Sequence, residues 1–145
     1  MNIITKSPEQ TKKIAENFAK KLKGGEIIGL TGPLGSGKTV FVQGLAKGLK
    51  IKEKITSPSF VLMKFYKTNK KAVKQLIHLD AWRLNSPQDL EQLGITELLT
   101  EDNVIVIEWI EKVEKFFKNR SLIIIKFTLG QQEKTRKISI KNKKV

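Results

Sequence analysis

The chain contains no cysteine, one histidine, only three arginines and no apolar run long enough to span a bilayer. Without thiols, disulfides and thiolate metal sites are excluded, and an intracellular compartment is the simplest fit. The opening stretch MNIITKSPEQ lacks the apolar centre of a secretory signal. A cytoplasmic protein with no membrane partner is therefore expected. The shortage of arginine stands out because the chain is strongly basic, with 28 Lys+Arg against 14 Asp+Glu, a formal charge of +14 and a pI near 10.0. Such a charge suits a nucleic acid, an anionic surface or an anionic ligand. Arginine, however, is the residue that reads phosphates and bases bidentately, and only Arg83, Arg120 and Arg136 are present. Lysines spread from Lys6 to Lys144 read as a general property of the surface and not as a reading head.

What is present organises into one unit. A length of 145 residues with 39% apolar content suits a single core, and no repeat or linker divides the chain, so one domain over 1–145 is expected. Ser7-Pro8-Glu9-Gln10 carries a helix cap, and Ile14, Ala15, Phe18 and Leu22 follow at helical spacing up to Gly24-Gly25. EIIGLTG reads as a buried strand. Phe41, Val42, Leu45, Ala46 and Leu49 repeat with a helical period. FVLMKFY and QLIHLDAW read as strands, and Asn85-Ser86-Pro87 opens a helix over Leu90, Leu93, Leu98 and Leu99, interrupted by Gly94. VIVIEW, residues 104–109, is the most continuous strand signal; a helix carrying Val113, Phe116 and Phe117 is expected after it. SLIIIKFTL and KTRKISI predict a terminal antiparallel hairpin, and KNKKV a frayed tail.

Between the strand EIIGLTG and the helix after it lies GPLGSGKTV, which matches G-x-x-x-x-G-K-[ST] with Gly32, Gly37, Lys38 and Thr39 in the fixed positions. Glycines let the backbone turn its N–H groups inward at the positive end of a helix, forming an anion nest. Gly32, Leu34, Gly35, Ser36, Gly37, Lys38, Thr39 and Val40 are the expected phosphate-binding residues, with Lys38 on the β- and γ-phosphates and the Thr39 hydroxyl on Mg²⁺. Two acids end apolar strands, Asp80 and Glu108. In an α/β sheet the ligand lies beyond the carboxyl ends of the strands, which makes both candidates for hydrolysis or metal binding; Glu108, on the more buried strand, is favoured on the Mg²⁺ side.

Thr56-Ser57-Pro58-Ser59-Phe60 sits where nucleotide hydrolases often carry a segment that senses the γ-phosphate, although such a stretch is by default a turn. His78 reads as a hydrogen-bonded structural residue. Trp82 and Trp109 read as core or partner-facing aromatics. A GTPase is disfavoured: Asp80 is followed three residues later by Arg83 where glycine is needed, and Asn69-Lys70 by Lys71-Ala72, without the guanine-reading acid. Two other classes stay open: a small-molecule kinase, strained by the shortage of arginine, and a basic module that holds nucleic acid directly.

GPLGSGKTVFVQGLAKGLKI, ITSPSFVL, HLDAWRL, LEQLGITELL and VIVIEW occur in the order and approximate spacing of the TsaE family, formerly YjeE, and the resemblance covers about residues 25 to 112. It implies a P-loop α/β fold with a mixed, mostly parallel sheet flanked by helices. It further implies ATP and Mg²⁺ as ligands and a weak, partner-activated ATPase working with the TsaB–TsaD heterodimer in threonylcarbamoyladenosine modification of tRNA. In that system the TsaE-like subunit resets the complex and does not perform the transfer. By position, Lys38 and Thr39 hold phosphate and Mg²⁺, residues 56–60 act as a switch, Asp80 and Glu108 serve hydrolysis or metal binding, and Trp109 lies close to the nucleotide. The chain departs from the family's pattern at Pro33, Val40, Ala81-Trp82 and Ile110.

Overall fold

In the computed structural model, which describes residues 1–58 and 62–145, helix α1 (Pro8–Ala19) begins as its cap dictates. Ser7 is extended and its hydroxyl accepts from the Gln10 N–H at 3.2 Å, while Gln10 Oε1 reaches back to the Lys6 N–H at 2.7 Å. The helix stops at Ala19, earlier than Gly24-Gly25. Its last carbonyls find a cation from a distant turn: Lys70 Nζ donates to Ala19 O, Lys20 O and Leu22 O at 3.0, 2.6 and 2.9 Å. Helix α2 (Lys38–Gly48) lies against α1 at close range. A Cβ on Gly44 would fall 2.5 Å from the Ala15 Cβ, and one on Gly48 2.6 Å from the Ala19 Cβ, so small residues on both helices set the approach.

Among the described residues seven strands form one sheet: β1 (Asn2–Thr5), β2 (Ile27–Thr31), β3 (Met63–Lys67), β4 (Gln75–Asp80), β5 (Asn103–Glu108), β6 (Ser121–Leu129) and β7 (Arg136–Lys144). Their order is β1-β7-β6-β2-β5-β4-β3. The four central strands β6, β2, β5 and β4 run parallel, with antiparallel β3 on one side and antiparallel β7 on the other. This is the expected mixed sheet, parallel in its centre and closed by the β6–β7 hairpin. Strand β5 is buried at every residue and β2 at all but its last, as strands covered on both faces should be. On one face Leu30, Val106 and Phe127 meet Phe41 and Leu45 of α2; on the other Ile77, Ile105 and Ile107 meet Leu90, Ile95 and Phe117.

Four local expectations are corrected. NIIT, given no structure from sequence, is the edge strand β1, aligned with β7 from Asn2↔Ser139 to Thr5↔Arg136. The stretch read as one interrupted helix is two short ones, α3 (Gln88–Gln92) and α4 (Ile95–Leu98), separated by Gly94 at φ 78°. Residues 110–117 form two 3-10 turns, Ile110–Lys112 and Glu114–Phe117, because Trp109 enters them from the left-handed region and Val113 breaks the run at φ −131°. The tail is not frayed: it continues β7, with Lys144 opposite Ser121, and Val145 N donates to Arg120 O at 3.0 Å. The strand expected from FVLMKFY begins at Met63; Phe60 and Val61 lie outside the described residues.

Candidate functional site

Strand β2 delivers the loop at its carboxyl end, between β5 and β6. Gly37, with φ 103°, caps α2 in a conformation that side chains rarely adopt. A Cβ added at Gly35 or Gly37 would meet nothing within 4 Å, so the loop borders open space. Ser36 is buried, and its hydroxyl has no hydrogen-bond partner among the described residues. Lys38 is curled back into the loop: Nζ donates to Gly32 O at 2.6 Å and Pro33 O at 3.0 Å, and lies 4.2 Å from the centroid of the Trp109 ring. Burial lowers its pKa below the usual lysine value, against the opposing pull of Glu108, Glu111 and Asp80. Leu34, 87% exposed, stands at the loop's tip.

The two acids arrive through strand register. Asp80 and Glu108 are directly paired at the ends of β4 and β5, and Glu108 is in turn paired with Leu30 of β2. Both carboxylates therefore stand beside the loop, as the strand-end argument requires. Glu108 is buried; Thr39 Oγ1 lies 3.3 Å from each of its oxygens, and His78 Nε2 lies within hydrogen-bond distance of Oε2, at 2.6 Å. Asp80 Oδ1 accepts from the Trp82 N–H at 2.9 Å. Burial nevertheless raises its pKa above the usual carboxylate value: the Trp82 N–H, His78 and Lys38 favour the charged form, and the neighbouring charge of Glu108 opposes it.

These residues line an open cleft of about 580 Å³. Gly35, Gly37, Lys38, Thr39, Val40, Asp80, Glu108 and Trp109 all border it, as do Leu34 and Ser57. Trp109 adopts φ 61° and its ring lies 4.5 Å, centroid to centroid, from that of Trp82, which is half exposed on the rim. Of the switch-like segment, Thr56 Oγ1 accepts from Lys64 Nζ and Pro58 O from the Leu62 N–H, whose own carbonyl accepts from the Asp80 N–H at 2.9 Å. Ser59 and Phe60 lie outside the described residues.

Several cleft residues were not anticipated. Ser7, Pro8 and Thr11 enter because β1 ends at the same edge of the sheet as the loop, and Lys134 and Arg136 because the β6–β7 turn does too. Arg136 Nη2 donates to Gly35 O at 3.1 Å. Glu111 accepts from the Thr31 hydroxyl at 2.8 Å. The missing signal was β1: once NIIT is placed beside β7, the α1 cap and the hairpin turn fall next to the loop.

No group of three or more His, Cys, Asp or Glu side chains converges to cage an ion among the described residues. One hydroxyl and one carboxylate facing an open anion nest fit Mg²⁺, which takes most of its ligands from phosphate and water. The cradle bounded by Gly35 and Gly37 likewise fits a polyphosphate.

The sequence profile described as "Threonylcarbamoyl adenosine biosynthesis protein TsaE" matches residues 5–138. The chain belongs to the TsaE family. It is 40% identical over 112 residues to the tRNA threonylcarbamoyladenosine biosynthesis protein TsaE of Aquifex aeolicus, covering 76% of this chain and 77% of that one. It is 35% identical over 130 residues to the Bacillus subtilis protein of the same name, covering 90% and 79%. Its fold matches the crystal structure of Bacillus subtilis YdiB with a TM-score of 0.78 and 29% identity, over 97% of this chain and 83% of that one. Membership of the TsaE family favours neither the kinase nor the tRNA-holding alternative. No helix among the described residues is long and apolar enough to cross a membrane.

Proposed function

We propose that this chain is an ATP-binding, Mg²⁺-dependent ATPase subunit of the tRNA threonylcarbamoyladenosine system. It works in the cytoplasm as one unit over 1–145, with the TsaB–TsaD heterodimer as partner. It reaches tRNA through that complex and drives its turnover without performing the transfer. The observation that carries the reading is the convergence of Lys38, Thr39 and Glu108 on one open glycine loop.

The loop N–H groups from Leu34 to Val40 would hold the phosphates at the start of α2, where unpaired N–H groups and the helix dipole favour anions. Lys38 would leave its loop carbonyls for the phosphate oxygens, exchanging two neutral acceptors for charged ones. Thr39 and Glu108 would hold Mg²⁺. The ion would supply charge neutralisation on the phosphates, the chief electrostatic need of phosphoryl transfer. Asp80, its pKa raised by burial, would orient the attacking water and accept a hydrogen bond from it. Residues 56–60 would report the γ-phosphate: within them Pro58 O accepts from the Leu62 N–H, and Leu62 O accepts from the Asp80 N–H. Trp109 would border the nucleotide.

The test is ATP hydrolysis by the protein alone and with TsaB–TsaD, alongside calorimetric binding of Mg·ATP. Stimulation by the partners that Lys38→Ala and Glu108→Ala both remove is expected. No adenine-nucleotide binding with Mg²⁺, or binding unchanged by Lys38→Ala, would overturn the reading.

A further inference from the structure

His78 is fully buried in β4, in the run Leu76-Ile77-His78-Leu79 whose other members are all buried apolar residues. Its Nε2 is 2.6 Å from Glu108 Oε2, and its Nδ1 has no hydrogen-bond partner among the described residues. A carboxylate oxygen only accepts, so Nε2 carries the proton and donates. Among the described residues the ring is thus a polar group with one nitrogen paired, set among buried apolar side chains where packing alone would favour a leucine. The ring's one hydrogen bond among the described residues is to Glu108. Register explains how it gets there: His78 is paired with Val106, two residues before Glu108 on the neighbouring strand and on the same face.

We infer that His78 is a positioning residue for Glu108. Its donation to Oε2 fixes the carboxylate plane in the position where Thr39 Oγ1 lies 3.3 Å from both oxygens. The other donor that the described residues offer Glu108, the Thr39 hydroxyl at 3.3 Å, makes a longer contact and is the group proposed to turn to Mg²⁺. Once Thr39 is so engaged, His78 keeps the acid from rotating toward Asp80 or away from the loop. The functional consequence rests on the ATPase reading; the bond itself does not.

Because His78 is the chain's only histidine, its ring gives one set of imidazole signals, and nitrogen-detected NMR of the ligand-free protein reads the bond directly. A proton on Nε2, shifted downfield and displaced by Glu108→Ala, is expected. A proton on Nδ1 alone, or an Nε2 signal indifferent to Glu108→Ala, would overturn the inference. In hydrolysis assays with TsaB–TsaD, His78→Leu should lower kcat by about 10- to 100-fold with KM for ATP within about 2-fold, as loss of a supporting partner does. His78→Gln, whose amide nitrogen falls near the Nε2 position, should restore most of it. His78→Leu should melt no lower than the parent. Full kcat in His78→Leu, or equal losses in the Leu and Gln variants, would overturn the inference. Absence of hydrolysis in the unsubstituted protein would count against the ATPase reading alone, and the ring spectrum would then decide the His78–Glu108 bond by itself.

Discussion

Lys38 Nζ rests 4.2 Å from the centre of the Trp109 ring while it donates to the Gly32 and Pro33 carbonyls. The cation is therefore fully engaged before any phosphate arrives, and a ligand that captures it must take it off the indole. Trp109 should report this in its fluorescence. In Trp82→Phe, which leaves Trp109 as the only tryptophan, saturating Mg·ATP should change the emission, and adding Lys38→Ala should abolish the response. Emission indifferent to saturating nucleotide would show that Lys38 stays where it is.

The same lysine should weaken the ligand-free fold. Burial lowers its pKa, so the charged form is less favourable there than in the unfolded chain. For a cation the sign is that this stability contribution is present above the usual lysine value of 10.5 and is lost as pH falls through the folded value. At neutral pH, Lys38→Met should consequently melt at or above the parent's temperature while losing the thermal shift that Mg·ATP confers. A clearly lower melting temperature would mean that the carbonyl and ring contacts outweigh desolvation.

Asp80 makes a prediction in the opposite pH range. Its pKa is raised chiefly by burial, so its contribution to stability is fully present below the ordinary carboxylate value of 3.8 and is lost as pH rises through the folded value. Asp80→Asn keeps an acceptor for the Trp82 N–H and does not titrate. Urea unfolding at pH 4 and pH 7 should show the variant gaining on the parent at the higher pH. A gap independent of pH, or one that reverses, would remove burial as the dominant influence.

Thr39→Val keeps the shape and deletes the hydroxyl. Mg²⁺ should strengthen ATP binding to the parent and not to the variant, with affinities in the absence of Mg²⁺ within about 3-fold of each other. Calorimetry with and without the ion makes the comparison. An intact Mg²⁺ effect in the variant would exclude Thr39 as a ligand.

Gly44 tests the helix pair. In an open helix Gly→Ala stabilises by about 1 kcal/mol. Here the added methyl would fall 2.4 Å from Lys12 O and 2.5 Å from the Ala15 Cβ. Overpacking should win, so Gly44→Ala should lose about 1–3 kcal/mol in chemical unfolding. A stabilised variant would mean that α1 shifts at little cost.

Local patterns carried much of the site. The glycine loop, its lysine and threonine, and the acids closing two apolar strands were legible because each is a short-range signal joined to a rule about strand ends. The carboxylates' shared face follows from the parallel pairing of β4 and β5. What escaped depended on contacts between distant segments. NIIT becomes a strand only because β7 lies beside it, and the tail KNKKV is ordered for the same reason, by β6. The turns after Trp109 escaped because apolar spacing does not separate a 3-10 turn from an α-helix. The direction in which His78 points was equally hidden: its sequence neighbours mark burial, while its partner sits on the adjacent strand.

The placement of β2 between β5 and β6 also has a consequence during synthesis. Both of its neighbours leave the ribosome after it does, so the nascent chain carries the glycine loop on a strand with two open edges. The carboxylate that faces Thr39 is added dozens of residues later. An apolar strand therefore waits without its sheet neighbours through a long interval of synthesis, a demand typical of parallel, non-local pairing.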